Sequence, residues 1–416
     1  MLRGIKIRLY PTKEQTIQFN KLLGCYRFVY NQMLSLKQTA YNDEKKSLGL
    51  NELSKYFHGE LLKNQDYFWL NEQNTKVLKQ SIRQMLTAYS NFFKHNKGFP
   101  KFKRKKDKQT ALFPLEAISK KNTFETREIT LIKSLKNIKF RCSDLYFNRL
   151  RIYKDSIKSA TLSKTKSGNY FLSILIELPN EEVIKFKQTN QHVGIDLGVK
   201  DFVITSDGEV FENKHFYKSQ EKKIKKLHKQ LSKKVKGSNN RNKARIRLAK
   251  AYERLTNQKE QYIHNVINSL LSSYDVICME DLNVEGMLKN HKLAKSIQEL
   301  GFCRFKTILE DKAFNNGKQV VLVDRFYPSS KTCSVCGYKN VDLTLRDREW
   351  TCPECGTHHD RDVNAAINIL IEGENIIGCR SAEYTLVENP PVDDRNICFL
   401  KSSDSLKQEE EYGRSY

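Results

Sequence analysis

The chain has 416 residues, 39% of them hydrophobic, and a formal net charge of +25 from 73 basic and 48 acidic side chains. That length is enough for roughly two to four domains, no apolar run approaches the ~18 residues of a membrane span, and the N-terminus shows no signal-peptide core. So large an imbalance repels itself unless a polyanion neutralises it, which points to nucleic acid ahead of an anionic membrane surface.

From Leu2 to Tyr10 apolar Ile5, Ile7 and Leu9 alternate with Lys6 and Arg8, the pattern of a half-buried strand, and Pro11 ends it. Thr12 with Gln15 three residues on is a capping-box pattern and predicts a helix from about Lys13 to Gln38. A second helix is expected from about Asn74 to His95, with Val77, Leu78, Ile82, Met85, Tyr89 and Phe92 as its core stripe. At Gly98 the character changes. The run FPKFKRKKDK carries Lys101, Lys103, Arg104, Lys105 and Lys106 between and after Phe99 and Phe102. It reads as a phosphate-gripping segment with aromatics for stacking, against a solvated basic loop or a localisation signal. From about Thr110 to Leu178 short strands are expected, the clearest pair being Ser156–Lys164 and Tyr170–Leu178 around a turn at Ser167-Gly168-Asn169. With the N-terminal strand they could close a small barrel. Glu181 to Gln191 reads as a polar linker.

A third block opens with the buried run VGIDLGV and a second strand, FVITSDGEVFE, turning at Asp207-Gly208. A very basic helical hairpin follows, with its loop at Lys236 to Arg247. Then come a buried strand, Tyr274 to Met279, ending at Glu280; a helix from about Ala294 to Asn316; and a strand from Gln319 to Val323. A final helix is predicted over about Val363 to Ile371, and the polar tail after about Glu372 is expected to be poorly ordered.

Before that last helix stand Cys333, Cys336, Cys352 and Cys355, as CSVCG and CPECG fifteen residues apart. Two CxxC knuckles at this separation place four thiolates around one tetrahedral zinc, rather than forming two disulfides. Gly337 and Gly356 permit the tight turns that face backbone amides toward sulfur. Ten cysteines without a signal peptide also imply a reducing compartment, here the cytoplasm. His358 and His359 are expected on the surface, since four thiolates already satisfy zinc.

Two of the buried strands carry an acid, Asp196 in GIDLG and Glu280 after VICM, and Asp362 lies at the start of the final helix. A carboxylate in an apolar run is costly unless a cation or donors compensate. The alternatives are a turn acid for Asp196, a helix N-terminal charge for Glu280 and an N-cap for Asp362. The element order is that of an RNase H-like fold, in which such acids meet at one sheet end and can hold two magnesium or manganese ions about 3.5–4 Å apart. Asp281, Asp360 and Glu285 are the near competitors. Gly194 and Gly198 would let a phosphate backbone approach Asp196.

The segments IKIRLYPTKEQ, LLGCYRFVYNQML, VGIDLGVKDF, VICMEDLNV, DRFYPSSKTCSVCG and CPECGTHHDRDVNAAINI, in this order, resemble the TnpB (OrfB) family of transposon-associated RNA-guided nucleases. The resemblance spans most of the chain. It implies an α+β multidomain fold: a wedge-like β-barrel from 1–10 and 99–188 and a helical recognition domain at 11–98. After these it implies a RuvC-like nuclease domain at 189–375 with a zinc ribbon inserted at 326–358, and a tail at 376–416. It implies Asp196, Glu280 and Asp362 as catalytic acids on magnesium or manganese, and the four cysteines as ligands of a structural zinc. The implied partners are one guide RNA per protein, transcribed from the transposon end, and double-stranded DNA with a short motif beside the target, with no membrane. The competing functions are a guide-loaded repressor that does not cut and a transposase that joins strands by itself.

Overall fold

The computed structural model describes residues 1–119, 122, 124–179, 186–290, 294–344 and 347–384. Strand β1, Leu2–Tyr10, buries Ile5, Ile7 and Leu9 as its alternation dictates. Thr12 and Gln15 form the reciprocal cap of α1, Lys13–Glu44. The helix outruns the expected end at Gln38 because no glycine or proline stops it there; Lys45, at φ 55°, does. Helix α2, Leu50–Tyr56, leads to α3, Thr75–His95, capped by Asn74 and burying Val77, Leu78, Ile82, Met85 and Tyr89.

Strands β2 (Gln109–Pro114), β3 (Glu128–Ile129) and β4 (Ile138–Arg141) precede a helix, α4 (Asp144–Ile152), where only strands were expected. Ser143 caps α4 by accepting from the Tyr146 amide, a start signal the strand reading passed over. Strands β5 (Ile157–Lys164) and β6 (Tyr170–Glu177) make the expected hairpin, with Gly168 at φ 95° in its turn. The six strands are ordered β2-β5-β6-β1-β4-β3 and every recorded pairing is antiparallel. Among the described residues β2 and β3 stand at the two edges, so the recorded pairing is an open sheet rather than a closed barrel. Helix α1 packs on it, with the Phe19 and Tyr170 rings 5.1 Å apart.

The linker expected at Glu181 to Gln191 lies outside the described residues up to 185. Beyond it the strands β7 (His192–Asp196), β8 (Asp201–Thr205) and β9 (Val210–Glu212) lead to the helical hairpin α5 (Phe216–Ser232) and α6 (Asn239–Ser273). Strand β10 (Val276–Glu280) is followed by α7 (Val284–Leu288), α8 (Ala294–Leu300), α9 (Phe302–Asn315) and β11 (Gln319–Val323). The single helix expected over Ala294 to Asn316 is broken at Gly301, whose φ of 71° no helix accommodates. A short hairpin, β12 (Glu349–Thr351) and β13 (His358–Asp360), precedes α10 (Arg361–Tyr384), which outlasts its expected end at Ile371. Of the expected tail, 385–416 lies outside the described residues.

The second sheet runs β11-β10-β7-β8-β9, with β10 parallel to both neighbours and β8 antiparallel to β7. Alternation along β10 splits the core in two. Ile277 and Met279 join α6 and α9 on one face, while Cys278 joins Ile369 of α10 on the other. Two glycines let α10 lie directly on the strands. A Cβ at Gly194 would stand 2.0 Å from the Ala366 carbonyl oxygen, and one at Gly373 would stand 2.3 Å from Cys278 Sγ. Gly194 is thus a helix-packing residue, not an approach for phosphate. At Gly198 a Cβ would meet the Asp201 carbonyl oxygen at 2.8 Å, so that glycine serves a turn.

The start of the block is locked by Asp275. It accepts the amides of Thr189 and Asn190 at 2.7 Å each and pairs with the fully buried Lys318 at 2.8 Å. No described helix is long and apolar enough to cross a membrane.

Candidate metal centres at the ribbon and the sheet end

The four cysteines expected to share a metal do come together. Their sulfurs all lie within 4.8 Å of one another, with Cys333 and Cys355 at 3.7 Å and Cys336 and Cys352 at 3.5 Å. Zinc–thiolate bonds of ~2.3 Å in a tetrahedron put sulfurs about 3.8 Å apart, so the quartet fits that ion. Each knuckle is the same turn. Gly337 and Gly356 sit at φ 78° and 71°, and their amides donate to the carbonyls of Cys333 and Cys352 at 2.9 Å. The amides that reach sulfur belong to the following residues, Tyr338 and Thr357.

Only one of the two histidines is on the surface. His358 is exposed and lies 3.5 Å from Glu349. His359 points the other way along β13 and is 6% exposed. Its ring lies against Trp350 at 4.9 Å, and its Nε2 is 3.1 Å from Cys333 Sγ, the geometry of an imidazole N–H donated to a thiolate.

The three acids converge differently. Asp196 ends β7 and Glu280 ends β10, and the parallel register Ile195↔Met279 makes them equivalent positions on neighbouring strands. Asp362 lies in the first turn of α10. It is not the N-cap: Asp360 does that work, accepting the amides of Asp362 and Val363 at 2.9 Å each. Asp281, one residue past Glu280, is tied to Lys306 at 2.6 Å and Arg325 at 2.7 Å. Glu285 sits in the first turn of α7.

Burial pushes the Asp196 carboxyl up to about 7, helped by the charges of Glu280 and then Asp362. Burial also raises Glu280, against a hydrogen bond from Ser329 that lowers it. Asp362 accepts from Arg348 at 3.1 Å. The acids feel one another without being drawn as tight as the thiolates: among the described residues only the cysteine quartet gathers its donor atoms within 4.8 Å. Facing carboxylates repel, and a hard oxygen-seeking cation is the species that would relieve them.

Three family models match the chain. They are "Probable transposase" over 173–291, "Cas12f1-like, TNB domain" over 302–369 and "Helix-turn-helix domain" over 1–46. A Streptomyces pristinaespiralis protein named "Putative RNA-guided DNA endonuclease" is 33% identical over 378 residues, 91% of this chain and 90% of that protein. Another protein of that description, from Escherichia coli K12, is 28% identical over 91% of this chain and 94% of its own length. The chain belongs to the TnpB (OrfB) family. A Cas12f1 chain solved as a complex with guide RNA and target DNA shares the fold at a TM-score of 0.55 and 14% identity, covering 89% of this TnpB-family chain and 98% of that one. The span matched by the helix-turn-helix model holds β1 and the single long α1, with no second helix.

The basic run of this TnpB-family chain is less free than its sequence suggests. Lys103 lies 3.9 Å from the Tyr30 ring centre and donates to Gln84, and Asn31 clamps its backbone from both sides. Burial lowers its pKa to about 8. Arg104 pairs with Asp107. Lys101, Lys105 and Lys106 remain exposed, as do Phe99 and Phe102.

Sequence reasoning missed four residues beside the two centres: His359, Ser329, Asn364 and Asn368. The asparagines carried a readable signal. They recur four residues apart on the apolar face of VNAAINIL, where a buried amide must find partners.

Proposed function

We propose that this chain is an RNA-guided DNA endonuclease of a transposable element. It hydrolyses phosphodiester bonds at a RuvC-like site formed by Asp196, Glu280 and Asp362. The observation that carries this reading is the placement of two acids at equivalent ends of parallel strands β7 and β10, with α10 bringing a third to the same end. Magnesium or manganese bound there would activate a water and steady the departing oxygen. The chain itself supplies three carboxylates held by backbone, and Arg348 keeps Asp362 in place. Zinc in the cysteine quartet is structural and fixes the start of α10.

The curated relatives are named for RNA-guided cleavage of DNA, and +25 charges suit two nucleic-acid partners. We assign the guide to RNA from the transposon end and the target to duplex DNA with a short adjoining motif. Residues 1–10 and 99–188 would act as the wedge and 11–98 as the recognition helices. Of the basic run, Lys101, Lys105, Lys106 and Lys108 are exposed side chains that would reach phosphate.

The test is to purify the protein with its RNA, sequence that RNA, and offer a matching duplex. Cleavage that requires both the RNA and a divalent cation, and that Asp196→Ala abolishes, is the expected result. Tight binding without cleavage would make the protein a guide-loaded repressor. Strand joining without RNA would make it a transposase.

A further inference from the structure

Residues 329–334, a strap that follows β11 and carries the first cysteine of the quartet, Cys333, touch all three elements that matter. Ser329 is 6% exposed and its hydroxyl donates to Oε1 of Glu280. Its carbonyl is held in turn by Asn368 Nδ2 of α10 at 2.8 Å. The same amide reaches the Thr332 carbonyl at 2.6 Å. One helical turn earlier, Asn364 donates to Thr332 at 2.7 Å and accepts the Ser334 amide at 2.9 Å. Asn364 and Asn368 are 1% and 2% exposed, so each bond is made in a dry setting where its loss leaves a buried amide unpaired. Cys333 lies between the pinned residues 332 and 334. Asp362 lies two residues before Asn364 on the same helix.

We propose that Ser329 is a positioning residue for Glu280. It fixes one carboxylate oxygen so that the other faces a divalent cation; Asn368 holds Ser329, and Asn364 the residues that follow it, in register with Asp362. This rests on the acid site proposed above. The physical argument is one of rotamers. A glutamate at a strand end swings through three side-chain torsions, and a single charge-assisted O–H···O bond from a buried donor whose carbonyl is itself anchored removes most of that freedom. The donor's own position is set from α10, so the spacing between Glu280 and Asp362 is fixed through Ser329 and Asn368 as well as by the sheet. Because the strap also carries Cys333, metal in the ribbon steadies the same link.

The experiment uses full-length, zinc-loaded protein carrying its guide RNA, as wild type, Ser329→Ala, Ser329→Thr and Glu280→Gln. Manganese binding is measured by calorimetry without target. The magnesium concentration for half-maximal cleavage of a matched duplex is measured separately. Ser329→Ala is expected to weaken manganese binding about tenfold, in the range found for outer-shell partners of metal ligands. It should raise the magnesium midpoint by a similar factor and leave zinc content and RNA affinity unchanged. Ser329→Thr, which keeps the donor, should restore both values. Wild-type manganese binding and magnesium midpoint in Ser329→Ala, with both lost in Glu280→Gln, would overturn the positioning role alone. Retention of both in Glu280→Gln would instead remove the acid site on which the role depends. Should Ser329→Ala lose zinc or RNA, Ser329→Cys, of similar size but a weak donor, gives the same two readings.

Discussion

The ribbon and the sheet end are both donor clusters, yet they are built by opposite means. The four cysteines are near neighbours along the chain, and two copies of one glycine turn set them at ligating distance. The three acids come from β7, β10 and α10, elements far apart in sequence that only tertiary packing unites. The thiolates are gathered by local backbone. The carboxylates are delivered by backbone into a buried setting among like charges, and burial first, then Glu280 and Asp362, pushes the Asp196 carboxyl up to about 7. A locally assembled soft site should keep its metal, and a repulsive hard site should exchange it.

The sharpest way to break this contrast is to remove an acid. Asp196→Ala is expected to lower cleavage by at least about a thousand-fold while RNA and target binding persist, because acids that share ions act as a unit. Cleavage of a labelled duplex beside a filter-binding measurement decides it, and cutting at the wild-type rate would take the sheet end out of the comparison. Next is the ribbon. Cys333→Ser should lose bound zinc, measured by mass spectrometry of the metal, and lose activity with it through the misplaced start of α10. In the wild type, brief chelation followed by magnesium alone should restore cutting with zinc still in place. A requirement for added zinc would erase the difference in exchange.

The frame under the acids can be tested apart from metal. Gly194→Ala drives a methyl into the Ala366 carbonyl and should cost about 3 kcal/mol, at the upper end for overpacking, seen as a lower unfolding midpoint. An unchanged midpoint would mean α10 does not rest on β7 as described. The smallest effect concerns Asp275. Burial pushes its carboxyl up, but hydrogen bonds from Lys318 and from the amides of Asn190 and Thr189 outweigh that and hold it down to about 2. A depressed carboxylate stabilises fully above its unfolded pKa near 4 and loses that contribution as pH falls toward 2. About 2–3 kcal/mol should disappear over this window in the wild type and not in Asp275→Asn. A parallel acid titration of the two would refute the lock.

Much of this was readable before any coordinates. Asp196 and Glu280 stood out because an acid closing an apolar run has few structural excuses. The cysteine spacing needed no tertiary knowledge, since its turns are local. What stayed hidden was set by neighbours distant in sequence. His359 looked like a surface residue until β13 paired with β12 and turned its ring onto Trp350. Gly194 invited a phosphate in the sequence, yet the space beside it belongs to α10. Lys103 reads as one cation among six, and only the fold seats it on Tyr30. Helix ends were misjudged where the signal was weak, as at Gln38, or passed over, as at Gly301.

The order of cysteines around the ribbon has a practical corollary. A chain divided near Val341, which is 66% exposed, leaves Cys333 and Cys336 on the first fragment and Cys352, Cys355 and the whole of α10 on the second. Neither piece alone owns a complete thiolate tetrahedron, and the first lacks Asp362. Reassembly of the halves would then draw both on the seat of α10 against β7 and β10 and on a thiophilic ion bridging them, which would make zinc supply one external influence on the rejoined protein.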